Sequence, residues 1–192
     1  MFTGLVQKMG CVVDLRDEGP GKRLTIHSPD LASRAQIGAS IAINGCCLTV
    51  IETTGENMIF EAGPETLSRT NLSTIQTDSR VNLEPSLAVG DLVGGHFVTG
   101  HIDAVGLLDD QIDDQAWSTC WFRVPARLTQ QMISKGSVAV DGVSLTLVDV
   151  EDDRFSVQLI PHTLTHTTLG NLKIGYQANI ETDVLAKYAQ KA

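Results

Sequence analysis

Ser40-Ile41-Ala42-Ile43-Asn44-Gly45-Cys46-Cys47-Leu48-Thr49 returns 97 positions later as Ser137-Val138-Ala139-Val140-Asp141-Gly142-Val143-Ser144-Leu145-Thr146. Each copy alternates apolar and small or polar residues on both sides of an Asn-Gly or Asp-Gly pair. Period-two alternation around such a pair is a β-hairpin signal, because both turn positions favour positive φ. The repeat extends outward from there. Thr3-Gly4 returns as Thr99-Gly100, and Gly10 as Gly106. Pro64-Glu65-Thr66-Leu67 returns as Pro161-His162-Thr163-Leu164, and Asn82-Leu83-Glu84 as Asn179-Ile180-Glu181. The offset of 96 or 97 predicts two similar domains, residues 1–96 and 97–182, almost without a linker, followed by a short C-terminal helix, 183–192.

Most of the remaining pattern is strand. Ser40 to Asn44, Cys46 to Ile51, Met58 to Ala62, Arg80 to Leu83, Trp117 to Val124, Arg154 to Ile160 and Ala178 to Thr182 read as strands. Short helices are expected at Pro29 to Ala35, Ala126 to Ile133 and Asp183 to Gln190. The acidic stretch Asp109 to Asp114 reads as a solvated loop. Short strands separated by glycine turns predict an all-β chain with a small antiparallel barrel in each half, closed so that no sheet edge is exposed.

Composition bounds the function. The 192 residues are 42% hydrophobic, enough for two cores of about 95 residues each. The net charge is −9, and no Lys/Arg cluster exists, which argues against nucleic acid and anionic membranes as partners. No apolar run approaches the roughly 18 residues of a membrane span, and Met1-Phe2-Thr3-Gly4-Leu5-Val6 does not read as a signal peptide. Cys11, Cys46, Cys47 and Cys120 show neither CxxC nor Cys/His ligand spacing, so no metal site is expected. Free thiols fit a reducing, cytoplasmic setting.

Alternation also aims side chains. Cys47 and Thr49 share one strand face, opposite Cys46, Leu48 and Val50; Ser144 and Thr146 share the matching face in the second copy. The bland alternatives are a small core thiol and ordinary strand threonines. His96 and His101 bracket a glycine-rich junction, and a pair at that spacing is more often structural. Lys135, ahead of the second hairpin, could stabilise developing negative charge or simply be solvated. Asp141 is a turn former by type, and Asp183 an N-cap.

Taken in order, Met1-Phe2-Thr3-Gly4, Asn44 to Val50, Pro64 to Leu67, Gly94-Gly95-His96-Phe97-Val98-Thr99-Gly100-His101, Asp141 to Thr146 and Asn179 to Asp183 resemble riboflavin synthase of the alpha-chain type. The resemblance covers the chain from Met1 to about Tyr188. It implies two six-stranded Greek-key barrels in tandem plus a C-terminal helix. It implies dismutation of two 6,7-dimethyl-8-ribityllumazine molecules to riboflavin and 5-amino-6-ribitylaminouracil, with no cofactor and no metal. It also implies a homotrimer whose site lies between the N-terminal barrel of one subunit and the C-terminal barrel of the next. With few residues after Asp183, a weak trimer is expected. Association with a lumazine synthase capsid is left open.

Carried over residue by residue, the resemblance lines a first pocket with Gly4, Leu5, Val6, Cys47, Leu48, Thr49, Glu61, Ala62, Gly63, Pro64, Glu65, Thr66, Gly100, His101 and Ile102. It lines a second with Lys135, Ser144, Leu145, Thr146, Leu159, Ile160, Pro161, His162, Thr163 and Leu164. It makes His101 and Thr146 base or relay near the C7 methyl, and Ser144, Cys47 or a water the group that adds to C7 of the acceptor. Ser40, Asp141 and Asp183 are supporting polar groups. A second reading is a non-catalytic lumazine or flavin antenna of the same fold.

Overall fold

The computed structural model describes residues 1–191. The first barrel is built from β1 (Lys8–Glu18), β2 (Gly21–His27), β3 (Ser40–Ile43), β4 (Cys46–Thr54), β5 (Asn57–Ala62) and β6 (Arg80–Pro85). The second uses β7 (Ala104–Asp114), β8 (Trp117–Arg123), β9 (Ser137–Val140), β10 (Val143–Val150), β11 (Arg154–Leu159) and β12 (Gln177–Thr182). Around the first closed barrel the order is β1-β2-β5-β4-β3-β6, and the second repeats it as β7-β8-β11-β10-β9-β12. Short helices α1 (Pro29–Ala32), α2 (Pro64–Arg69), α3 (Ala126–Thr129), α4 (Pro161–His166) and α5 (Val184–Ala189) fill the connections and the end. Among the described residues, no helix is long and apolar enough to cross a membrane.

Each barrel interior is filled by the apolar half of the alternation. Leu24, Ile26, Val50, Phe60 and Leu83 are fully buried in the first, and Leu108, Phe122, Val140, Phe155 and Ile180 in the second. Each such side chain contributes about 1.5–3 kcal/mol on burial. The hairpin readings hold: Asn44 and Gly45 have φ of 45° and 77°, and Asp141 and Gly142 of 46° and 76°.

The acidic stretch departs from expectation. Asp109 to Asp114 is the far end of β7, paired to β8, and not a loop. It is solvated, but its register shifts between Leu108 and Asp110, so the apolar alternation breaks there. Arg123 and Arg154 hold Asp109 at 2.9 and 3.3 Å. A similar shift between Val12 and Asp14 hides β1 from a period-two reading. The helices expected at Pro29 to Ala35 and Ala126 to Ile133 last a single turn, Pro29–Ala32 and Ala126–Thr129, and each seats one leucine, Leu31 or Leu128, in its barrel core.

The two hairpin turns meet back to back between the barrels. A Cβ on Gly45 would lie 2.6 Å from the Gly142 nitrogen. Asparagines cross the contact in both directions. Asn82 Nδ2 donates to the Asp141 carbonyl, and Asn179 Nδ2 to the Asn44 carbonyl, at 2.9 and 2.8 Å. Asn82 Oδ1 accepts from Thr168 N–H and Asn179 Oδ1 from Asn71 N–H, at 2.8 and 2.7 Å. Four pseudo-symmetric bonds therefore weld the copies.

The symmetry breaks at Asp141. Its buried carboxylate accepts from Asn179 N–H, the Asn71 amide and the Tyr176 hydroxyl at 2.7, 2.9 and 2.9 Å. Burial outweighs these donors and raises its pKa to about 7. Above the ordinary value of 3.8 and below about 7, the folded chain holds a proton that the unfolded chain has lost. This group therefore subtracts stability as pH rises through that window. Asn44 shows that asparagine fits the same turn, so Asp141→Asn should remove the slope. Urea midpoints taken from about pH 4 to about pH 8 should fall in the native chain relative to the variant, and parallel profiles would refute the assignment.

Candidate active site

The polar pairs sit where each barrel meets the opening segment of the other copy. Phe2 and Val98 bridge antiparallel across the molecule, through bonds of 2.7 and 3.1 Å. This brings Thr3-Gly4 against the second barrel and Thr99-Gly100 against the first. Ser144 N–H donates to the Gly4 carbonyl at 2.8 Å, and Cys47 N–H to the Gly100 carbonyl at 2.9 Å. Both glycines have positive φ, +75° and +83°. A Cβ on Gly4 would lie 2.6 Å from Ser144 Cβ, and one on Gly100 2.6 Å from Cys47 Cβ. Only glycine lets backbone come this close.

Two clusters result, each drawn from both copies. The first joins Cys47-Leu48-Thr49 to Gly100-His101-Ile102, and Ile102 packs on the first core. Val50 faces Phe60 across β4 and β5, which places Glu61 and Ala62, and the α2 segment Gly63 to Thr66, at the same barrel end as Cys47. The second joins Ser144-Leu145-Thr146 to Gly4-Leu5-Val6, and Val6 packs on the second core. Leu147 faces Val157, so Leu159, Ile160 and the α4 segment from Pro161 to Leu164 stand at that end. Placing Gly4, Leu5 and Val6 with Cys47 is thereby corrected: they lie against Ser144, because the opening segments are exchanged between barrels.

Burial follows the alternation. Cys47 and Ser144 are half-buried and Thr49 and Thr146 exposed, while Cys46 and Val143 point into the cores. Burial raises the Cys46 thiol to about 12, so it is inert packing. Ser40 lies opposite Thr49 on β3. Lys135 is exposed and has φ of +71°, a left-handed position that the first copy gives to Gly38. Its N–H donates to the Leu147 carbonyl, so the residue borders Thr146.

The structure revises the supporting role given to Asp141, whereas Asp183 combines its cap with a charge felt by His96 of the second cluster. Asp141 is fully buried between the barrels and spends its oxygens on Asn179, Asn71 and Tyr176, so it faces neither cluster. Asp183 caps α5 by accepting from Leu185 N–H at 2.9 Å. His101 and Thr146 fall in different clusters, so a single chain does not bring them to one methyl group.

His96 stands against Ser144, a contact that sequence spacing did not give it. Its Nδ1 lies 2.7 Å from Ser144 Oγ, and the ring is 9% exposed. Burial lowers its pKa, opposed by the charge of Asp183, so the imidazole is neutral near pH 7. In the tautomer with the proton on Nε2, Nδ1 accepts from the serine hydroxyl, as a base beside a nucleophile; in the other, Nδ1 donates to Ser144 Oγ. Nε2 is buried without a partner among the described residues. A Gly-Gly-His run ahead of the second copy was the available signal. The fold that aims it at Ser144 was not.

A family profile described as the lumazine binding domain matches twice, over residues 3–86 and 99–183. The chain is 40% identical over 195 aligned positions to riboflavin synthase of Mycobacterium bovis, covering 100% of this chain and 97% of that protein. It is 37% identical over 193 positions to riboflavin synthase of Actinobacillus pleuropneumoniae, covering 100% and 89%. The chain belongs to the riboflavin synthase family. Among solved structures, LumP complexed with riboflavin superposes at a TM-score of 0.87 with 28% identity, covering 95% of this chain and 99% of that one. LumP complexed with 6,7-dimethyl-8-(1'-D-ribityl) lumazine gives 0.86 with 25% identity over the same shares. Within the riboflavin synthase family frame, the two profile matches each carry one polar pair, and each pair is met by the other match's Thr-Gly.

Proposed function

We propose that the chain is a riboflavin synthase. It binds one 6,7-dimethyl-8-ribityllumazine at the Cys47 cluster and one at the Ser144 cluster, and moves a four-carbon unit between them. The observation that carries this reading is the duplication of the polar site with changed chemistry: thiol and hydroxyl at equivalent positions, and a buried histidine on the hydroxyl alone. Two equal pockets would suit two identical molecules, and the difference between them divides donor from acceptor.

The reaction needs a proton removed from the C7 methyl of the donor, giving a delocalised anion, and an addition at C7 of the acceptor. Ser144, when His96 Nδ1 accepts its proton, is suited to that addition or to polarising a water for it. His101 and Thr146 are exposed on different clusters. They converge on one methyl group only where the first cluster of one chain faces the second cluster of another. Such a junction would also exclude water and supply the proximity that a reaction between two bound heterocycles needs. Leu185 and Tyr188 of α5 are 64% and 73% exposed and supply apolar surface for a homotrimer.

The antenna reading draws on the LumP likeness and predicts binding without turnover. Incubation with the dimethyl lumazine alone separates the two. A synthase forms one riboflavin for every two lumazines consumed; unchanged lumazine after prolonged incubation with folded protein would reject the assignment.

A further inference from the structure

Glu84 and Glu181 are buried carboxylates that the chemistry above leaves unused, and they form matching clamps. Glu84 Oε1 accepts from Thr3 N–H and the Thr3 hydroxyl, both at 2.7 Å, and Oε2 from Gly4 N–H at 3.0 Å. Glu181 Oε1 accepts from Thr99 N–H and hydroxyl at 2.6 and 2.7 Å, and Oε2 from Gly100 N–H at 2.9 Å. Glu84 is 5% exposed and Glu181 1%. A carboxylate taking several backbone and hydroxyl donors is among the stronger fixings available to an irregular segment.

The clamps cross between barrels. Glu84 stands on β6 of the first barrel, yet the glycine it holds carries the carbonyl that receives Ser144 N–H of the second. Glu181 stands on β12 of the second barrel, and its glycine receives Cys47 N–H of the first. Ser144 and Cys47 are the second residues of β10 and β4, ahead of the first pairings to β11 and β5 at Leu147 and Val50. The opposite copy's glycine carbonyl therefore completes the strand at the point where the polar pair starts.

We infer that Glu84 and Glu181 are crossed positioning residues: each is rooted in one barrel and sets the backbone of the ligand cluster on the other. What the clusters bind rests on the synthase reading; the crossing does not. The crossing makes each pocket sensitive to the integrity of the barrel that does not contain its polar strand. It also explains why the Asn-x-Glu motif repeats at the family offset although neither glutamate lines a cluster.

Glutamine at either position keeps the shape but places an NH2 group against backbone donors. In ligand-free Glu84→Gln, deuterium uptake of the peptide containing Ser144 should rise about tenfold or more while that containing Cys47 stays at the native rate. Glu181→Gln should give the reverse. Faster exchange confined to the barrel that carries the substitution, or equal in both, would overturn the inference. Should the glutamine variants fail to fold, Thr3→Val and Thr99→Val each remove a hydroxyl at constant volume, with its bond to the glutamate and the bond it accepts from Leu5 or His101 N–H, and should show the same crossed pattern at smaller size. With lumazine as substrate, both glutamine variants should turn over at least about tenfold more slowly at saturation. Crossed exchange with undiminished turnover would remove the positioning role and leave the function standing. Absence of turnover in the native chain would remove the function and leave the crossing standing.

Discussion

Gly142→Ala should destabilise the chain by about 3–5 kcal/mol, well beyond an ordinary substitution. The new Cβ would lie 2.7 Å from the Gly45 nitrogen and 2.8 Å from Gly45 Cα, at φ of +76°. Both obstacles are backbone, held by the asparagine bonds that cross the same contact, so nothing can swing aside. Relief requires the barrels to separate, which would also pull Gly4 from Ser144 and Gly100 from Cys47. Turnover should therefore fall along with stability. Gly55→Ala is the control: it too has positive φ, +60°, but nothing lies within 4 Å of its Cβ position. It should cost only about 1 kcal/mol of backbone strain. Similar urea midpoints for the two variants would show that the hairpin apposition does not hold the barrels together.

Ser144→Ala should lower turnover at saturation by about a hundredfold or more, within the range for positioned proton transfer, while riboflavin affinity changes only a few-fold. His96→Gln should approach the same loss, because its nitrogen acts through the serine hydroxyl 2.7 Å away. The double variant should be little worse than the weaker single, since the two act as one unit. The pH profile adds a signature. A neutral His96 is needed, and its pKa is lowered, so native turnover should fall on acidification only below the ordinary histidine range, and the glutamine variant should lose that limb. Weaker binding with unchanged saturating turnover, or fully additive losses, would remove the pair from the chemistry.

Much of this architecture is written in local patterns. Asn44-Gly45 and Asp141-Gly142 announce hairpins because the turn demands positive φ, and the observed angles agree. The inward and outward faces of Cys46 to Val50 follow from period two and are borne out by burial. β1 and β7 escaped that reading because a bulge in each shifts the register mid-strand, and in β7 the far half carries carboxylates on solvated faces. Other features depend on long-range closure. Nothing in Thr3-Gly4 says that it crosses to Ser144, since the exchange of opening segments is a property of two barrels facing each other. Asp141 looks like a turn residue with a spare carboxylate, and only the fold shows that the carboxylate is consumed by Asn71, Asn179 and Tyr176. His96 likewise looked structural until the junction segment was seen against Ser144.

One chain carries two sister sites, each assembled from both copies. Ser144→Ala protein, slow enough to hold unreacted substrate, allows the sites to be counted by equilibrium titration with 6,7-dimethyl-8-ribityllumazine. Two such sites should saturate at two lumazines per chain, with Gly4→Ala and Gly100→Ala each removing one of them. Saturation at a single lumazine per chain, lost only through Gly100→Ala, would contradict it and leave a one-site binding protein.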